Sequence, residues 1–207
     1  MAVWQGNGVI MLIFWKERLV FLSTPKTGST SIETALESLA HVAIRRPPEL
    51  KHISGPRYQR HMAPLLEKAA GERFTTVALM RDPVDWLGSW WRYRQRDDIR
   101  DLPRSTAGMS FEEAAIDYLS GHPGASMNVG SQARFLGLKD GQAAVDRVFR
   151  YEDIGTFLHF LEDRLGGEII LPRLNVSPKG DMRLSPGTQA QLRSHFADDY
   201  AFYQTLA

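Results

Sequence analysis

The chain has 207 residues, a formal net charge of +1 and no cysteine. The length favours one domain over residues 1–207, and the lack of cysteine excludes disulfides, zinc–thiolate sites and thiol nucleophiles. Because a nucleic-acid-binding surface usually brings a strong basic excess, we expect no nucleic-acid partner.

Two short apolar runs open the chain. VIMLIFW (9–15) and LVFLS (19–23) predict two strands joined by the charged turn KER. The first run is too short for a membrane span, and its flanks lack the marks of a signal peptide, so we expect a cytoplasmic protein. Residues 1–10 add little pattern; we treat them as an extension, with Met1 and Met11 as alternative starts.

From Ser29 onward the apolar spacing becomes helical. It continues to Ala43 and stops before RRPP (45–48), with Glu33 and Glu37 facing away from the apolar side. The following residues predict a loop and then a helix from about Pro64 to Gly71.

A second strand–helix unit follows. FTTVALM (74–80) predicts a buried strand, and the next helix has Asp82 as N-cap, Pro83 at its first position and Asp85 in a capping box. Later elements are predicted in the order helix (110–121), strand (145–153), helix (154–166) and one or two C-terminal helices. This alternation predicts an α/β fold whose central sheet is mostly parallel and flanked by helices.

The segment STPKTGSTS (23–31) joins a buried strand to a helix. The first N–H groups of a helix lack intrahelical partners and its dipole adds positive charge, so phosphate or sulfate binds there readily. Gly28 permits close approach, and Lys26 adds a full charge. An N-cap with spare hydroxyls is the alternative, but a lysine two residues before the glycine favours anion binding. The Walker A pattern is absent, which weakens a kinase or nucleotide-hydrolase interpretation.

Two segments resemble the motifs of sulfotransferases that use 3′-phosphoadenosine 5′-phosphosulfate (PAPS). PKTGSTS (25–31) is similar to the 5′-phosphosulfate loop of carbohydrate sulfotransferases and their bacterial relatives, and ALMRDPVDWLGSWW (78–91) to the 3′-phosphate motif. VFRYEDI (148–154) and LNVSPKG (174–180) are similar to further segments of these relatives. The resemblance covers most of the chain from Leu12 onward and implies a P-loop-like three-layer fold.

This resemblance implies PAPS as donor, no metal, and a hydroxyl acceptor, with a saccharide among the candidates. Arg81 and Ser89 would hold the 3′-phosphate, and Lys179 and Gly180 would lie near it. An ion pair of Arg81 with Asp82 or Asp85 is the alternative role for the arginine. The 5′-phosphosulfate would be held by Pro25, Lys26, Thr27, Gly28, Ser29, Thr30 and Ser31.

Lys26 would also stabilise the leaving phosphate oxygen, and an alcohol acceptor needs a general base. The candidates are His52, His61 and carboxylates such as Glu33. We favour His52, because related carbohydrate enzymes draw a histidine or glutamate from a comparable region and imidazole accepts a proton at neutral pH. A structural or surface histidine is the alternative.

The helix after residue 82 is rich in aromatic and basic side chains. Core packing is expected of its tryptophans, with a sugar or adenine platform as the alternative, and a solvated face is expected of Arg92, Arg94 and Arg96. Two functions compete with sulfuryl transfer: a P-loop-like kinase or hydrolase that needs Mg²⁺, and a catalytically silent nucleotide-binding protein of the same fold.

Overall fold

The computed structural model describes residues 11–172 and 180–206. In that part of the chain a five-stranded sheet is accompanied by ten α-helices. The strands are β1 (Met11–Phe14), β2 (Leu19–Phe21), β3 (Val42–Ile44), β4 (Thr75–Met80) and β5 (Arg147–Arg150). The helices are α1 (Ser29–Leu36), α2 (Pro48–Lys51), α3 (Gly55–His61), α4 (Ala63–Ala70), α5 (Pro83–Tyr93), α6 (Phe111–Leu119), α7 (Gln132–Leu136), α8 (Ile154–Leu165), α9 (Pro186–His195) and α10 (Ala197–Thr205).

The sheet is open and mixed, with the strand order β3-β1-β2-β4-β5. β1 pairs antiparallel with both β2 and β3, whereas the pairs β2–β4 and β4–β5 are parallel. The predicted α/β class is therefore confirmed, but the mixed pairing does not confirm a mostly parallel sheet.

Helices cover both faces of the sheet because side chains alternate along each buried strand. Leu12, Phe14 and Phe21 face one side, where they pack with residues of α1 and α8. Ile13 and Val20 face the other side, with residues of α3, α4 and α7. A third buried cluster joins α5, α6 and α9 beside the sheet. None of the helices in the described ranges reaches the length and apolarity needed to cross a bilayer.

Several helix boundaries follow the predicted capping chemistry. Asp82 accepts hydrogen bonds from the N–H groups of Val84 and Asp85, both at 3.0 Å, and Pro83 begins α5. Ser110 begins α6 with a complete capping box. The predicted capping box with Asp85 is wrong, because the Asp82 N–H instead donates to Glu152 at 2.9 Å. Local sequence does not show that tertiary contact.

The first predicted helix is too long. α1 ends at Leu36, and Val42–Ile44 pairs with the free edge of β1 as strand β3. The outward orientation predicted for Glu33 is also wrong, since this residue is 7 % exposed. Two further helices, α2 and α3, occupy a segment predicted as a loop. The expected N-terminal extension, residues 1–10, lies outside the described residues.

The parallel strands β2, β4 and β5 are neighbours, so their carboxyl ends lie along one edge of the sheet. The chain leaves this edge through three segments, residues 22–28, 81–82 and 151–153. Open α/β sheets bind ligands beyond the carboxyl ends of their parallel strands. The two segments with motif resemblance therefore converge.

Candidate anion-binding site

The loop after β2 is held in place by the protein itself. The Thr27 hydroxyl donates to the Thr24 carbonyl at 2.9 Å, and the Trp86 indole N–H donates to the Pro25 carbonyl at 3.0 Å. Lys26 has a backbone φ of 69°, a left-handed conformation that is uncommon outside glycine. Such conformations persist where surrounding contacts enforce them, and they cluster at functional sites.

The start of α1 offers unused hydrogen-bond donors. Gly28 is the N-cap, and no side chain among the described residues caps the helix. The hydroxyls of Ser23 and Thr24 are buried and find no hydrogen-bond partner in the described part of the chain. A buried polar group without a partner costs about 1–3 kcal/mol, so a ligand that accepts these hydrogen bonds gains affinity. The arrangement suits an oxyanion.

Gly28 is required here by a close neighbour. A Cβ at Gly28 would lie 2.6 Å from Cε2 of Tyr151, and the backbone φ of 68° also favours glycine. The ring of Tyr151 in turn lies 4.8 Å from the guanidinium carbon of Arg81. Tyr151 thus joins the two motifs, a role that its position in VFRYEDI did not reveal.

Arg81, immediately after β4, extends its side chain to the loop after β2. Its Nη1 lies 3.5 Å from the Lys26 carbonyl oxygen, and its Nη2 lies 3.5 Å from Oδ2 of Asp85. The predicted alternative, an ion pair at the helix start, is therefore present, but it is long. Nε of Arg81 is buried without a partner in the described residues, and the side chain is only 16 % exposed. The guanidinium keeps donor capacity for a ligand.

The backbone of Arg81 is fixed by Gln132, a residue for which the sequence suggested no role. The Arg81 N–H donates to Oε1 of Gln132 at 2.9 Å, and Nε2 of Gln132 donates to the Arg81 carbonyl at 2.8 Å. Gln132 is 1 % exposed. Its segment, GSQARFLG (130–137), carries no periodic pattern that would have identified it.

Lys26 lies in a strongly positive environment. Its Nζ is 4.0 Å from the ring centre of Tyr93 and 5.6 Å from that of Trp90. Burial, followed by the positive charges of Arg81, Arg96, Arg92 and Arg94, lowers the pKa of Lys26 from 10.5 to about 7. An anion bound nearby would raise this pKa again and restore the full charge.

Ser89 and Gly180 lie on two sides of α5. Ser89 is buried one turn after Asp85 and therefore on the same helix face. Gly180 packs on Trp91, because a Cβ there would lie 2.6 Å from the indole ring. Lys179 is outside the described residues.

His52 contacts the backbone of the loop that follows β2. Its Nδ1 is 3.2 Å from the Ser23 carbonyl oxygen. A carbonyl oxygen only accepts, so Nδ1 carries the proton and Nε2 keeps its lone pair. Burial lowers the pKa of His52 below its usual 6.5, partly opposed by this hydrogen bond. The imidazole is therefore neutral and oriented at pH 7.

The other two candidate bases differ in their surroundings. Burial raises the pKa of Glu33 to about 7, opposed by the nearby Lys51 ammonium. Oε2 of Glu33 has no partner in the described residues. His61 is exposed at the last residue of α3, and no hydrogen bond or ion pair of the described residues joins it to the loop.

Two tryptophans of α5 have the burial that was predicted, whereas the arginine at its end does not have the predicted exposure. Trp86 and Trp91 are buried, as core packing predicts. The solvated face predicted for the arginines is wrong for Arg94, which is 8 % exposed and donates to the carbonyls of Ala125 and Ser126. The segment after α6 therefore packs against the end of α5 through this guanidinium.

No family model, no curated protein and no solved structure matches this chain. The functional interpretation therefore depends on the two motifs and on the geometry that brings them together. No group of three or more histidine, cysteine, aspartate or glutamate side chains within 11–172 and 180–206 is arranged to hold a metal ion.

Proposed function

We propose that the chain is a P-loop-like sulfotransferase that moves a sulfuryl group from PAPS to a hydroxyl acceptor, with a saccharide as the leading acceptor class. The observation that carries the proposal is the meeting of two phosphate-type motifs. Arg81, after β4, reaches the Lys26 carbonyl in the loop after β2. The donor's two anionic ends are a 5′-phosphosulfate and a 3′-phosphate, and the site offers one cationic group for each.

The donors that have no partner in the described part of the chain fit such a ligand. The helix start, the hydroxyls of Ser23 and Thr24 and the ammonium of Lys26 suit the phosphosulfate end. The free Nε of Arg81 and the hydroxyl of Ser89 suit the 3′-phosphate, for which the planar guanidinium is well shaped.

In the transfer, the bond between sulfur and the phosphate oxygen breaks as the acceptor oxygen bonds to sulfur. The products are a sulfate ester, adenosine 3′,5′-bisphosphate and one proton. Lys26 and the N–H groups of α1 would offset the charge that develops on the departing phosphate oxygen. Nε2 of His52 would take the acceptor's proton, because Nδ1 is already committed to Ser23.

Ligand-dependent thermal unfolding tests the proposal. Adenosine 3′,5′-bisphosphate in the presence of EDTA should raise the melting temperature, and at 100 times its Kd it should add about 2.7 kcal/mol of stability. Stabilisation only by ATP with Mg²⁺ would favour the kinase or hydrolase instead. Stabilisation by the bisphosphate, without transfer from radiolabelled PAPS to any acceptor in a screen, would indicate a silent nucleotide-binding protein.

Replacement of His52 should remove the base without removing the donor site. We expect His52→Ala to lower kcat by about 10²–10⁴-fold, the usual contribution of general acid–base catalysis. Because the pKa of His52 is lowered, the wild-type rate should stay level at neutral pH and fall only below pH 6.5. The measurement is kcat against pH, alongside bisphosphate affinity.

Two variants serve as comparisons for this experiment. His122→Ala changes an exposed histidine and should leave the rate unaltered. Glu33→Gln tests the other buried candidate, whose pKa of about 7 would place the inflection near pH 7. A normal rate in folded His52→Ala, with the inflection lost in Glu33→Gln, would move the base to Glu33.

A further inference from the structure

The two residues after β4 are held by side chains from distant parts of the chain. Gln132 binds both the N–H and the carbonyl of Arg81, at 2.9 Å and 2.8 Å. Because Gln132 is 1 % exposed, water does not compete with this two-point contact. The backbone orientation of Arg81 is thereby fixed where its side chain leaves the sheet.

Glu152 holds the next residue and connects it to the C-terminal helix. Its Oε1 accepts from the Asp82 N–H at 2.9 Å, and its Oε2 accepts from the Tyr203 hydroxyl at 2.7 Å. Burial and then the hydrogen bond to Glu152 raise the pKa of Tyr203, so its hydroxyl stays protonated and donates.

α10 also holds the two segments that supply these side chains. Oδ1 of Asp199 lies 3.3 Å from the Ala133 N–H, next to Gln132. Arg150, two residues before Glu152, donates to the Tyr203 carbonyl from Nε at 3.2 Å and from Nη2 at 3.1 Å. One helix therefore fixes both side chains that hold the Arg81–Asp82 peptide.

We propose that Gln132, Glu152 and Tyr203 are positioning residues that orient Arg81 toward the donor's 3′-phosphate. This inference rests on the proposed function. None of the three has to touch the nucleotide. A guanidinium recognises phosphate through a planar fork, so a small rotation of its backbone misdirects both hydrogen bonds.

The test compares two nucleotides that differ only at the 3′ position. Calorimetric titration should show that wild type binds adenosine 3′,5′-bisphosphate more tightly than adenosine 5′-monophosphate. Tyr203→Phe should reduce this preference by about 2- to 10-fold, the equivalent of one net hydrogen bond. Gln132→Glu, which still accepts from the Arg81 N–H but no longer donates to its carbonyl, should reduce it at least as much. The monophosphate Kd should stay constant.

Thr205→Val is the matched control on α10, because that hydroxyl donates to the Phe202 carbonyl within the helix and to no other described residue. Its preference should equal that of wild type. If Tyr203→Phe is folded and keeps the full preference, the positioning role is overturned, whatever happens to Gln132→Glu. If the variants bind both nucleotides more weakly by the same factor, the three residues have a merely structural role, and the positioning role is also overturned.

A wild-type protein that binds neither nucleotide would overturn the proposed function. Amide hydrogen exchange would then test, by itself, whether Gln132, Glu152 and Tyr203 hold the Arg81–Asp82 backbone through their contact network. Faster exchange of the Arg81 and Asp82 amides in Tyr203→Phe than in Thr205→Val supports this role, and equal rates overturn it.

Discussion

Lys26→Met is expected to lower sulfuryl transfer by at least about 10²–10³-fold, the loss seen when one group that stabilises transition-state charge is removed. The change keeps an unbranched side chain, one atom shorter, and removes the charge that would face the departing phosphate oxygen. We expect the variant to keep the stability of the wild-type fold. The pKa of Lys26 is lowered on folding, so burial of the charged form opposes folding; this penalty is complete below about pH 7 and disappears as the pH rises toward the ordinary pKa of 10.5. The measurement is kcat with radiolabelled PAPS, together with the melting temperature.

Lys68→Met is the matched control, because it makes the same chemical change at an exposed lysine on α4. Lys26→Arg keeps the charge and should retain part of the activity. A wild-type rate in folded Lys26→Met would refute the role given to this lysine.

Arg81→Ala should weaken adenosine 3′,5′-bisphosphate binding by about 1.5–3 kcal/mol, the range for hydrogen bonds to charged groups. That range corresponds to about 10- to 150-fold in Kd. Among the described residues, the hydrogen bonds of the guanidinium are the long ones to the Lys26 carbonyl and to Asp85, so its removal breaks few of them. Adenosine 5′-monophosphate should lose much less affinity. Calorimetric titration of both nucleotides measures the difference.

Arg57→Ala, at an exposed position on α3, is the control for a general loss of positive charge. Arg81→Lys should recover only part of the affinity, because an ammonium lacks the planar fork of arginine. If Arg81→Ala weakens the binding of both nucleotides equally, the arginine supports the loop after β2 instead of binding the 3′-phosphate.

The parts of the fold that depend on local chemistry were predictable. The apolar runs gave β2 and β4, and Asp82 and Ser110 marked the starts of α5 and α6. The loop between β2 and α1 was predictable for the same reason, since a strand, a small-residue loop and a helix are adjacent in sequence. Its proximity to Arg81 follows once β2 and β4 are parallel neighbours.

The remaining features arise from contacts between distant residues. Gln132 and Tyr151 contact Arg81 although they lie 51 and 70 residues after it in the sequence, and neither lies in a periodic pattern. The burial of Glu33 depends on the packing around α1, and that of Arg94 on the segment after α6, whose carbonyls accept from its guanidinium. Strand β3 forms because the edge of β1 offers backbone partners, although the apolar spacing of its residues equally suits a helix.

The most direct test is a crystal structure of the protein with adenosine 3′,5′-bisphosphate. We expect the 5′-phosphate within hydrogen-bond distance of the backbone N–H groups of residues 28–31 and of Nζ of Lys26, and the 3′-phosphate against the guanidinium of Arg81. Nucleotide bound elsewhere, with the start of α1 still without an anion, would contradict the proposed site and the function built on it.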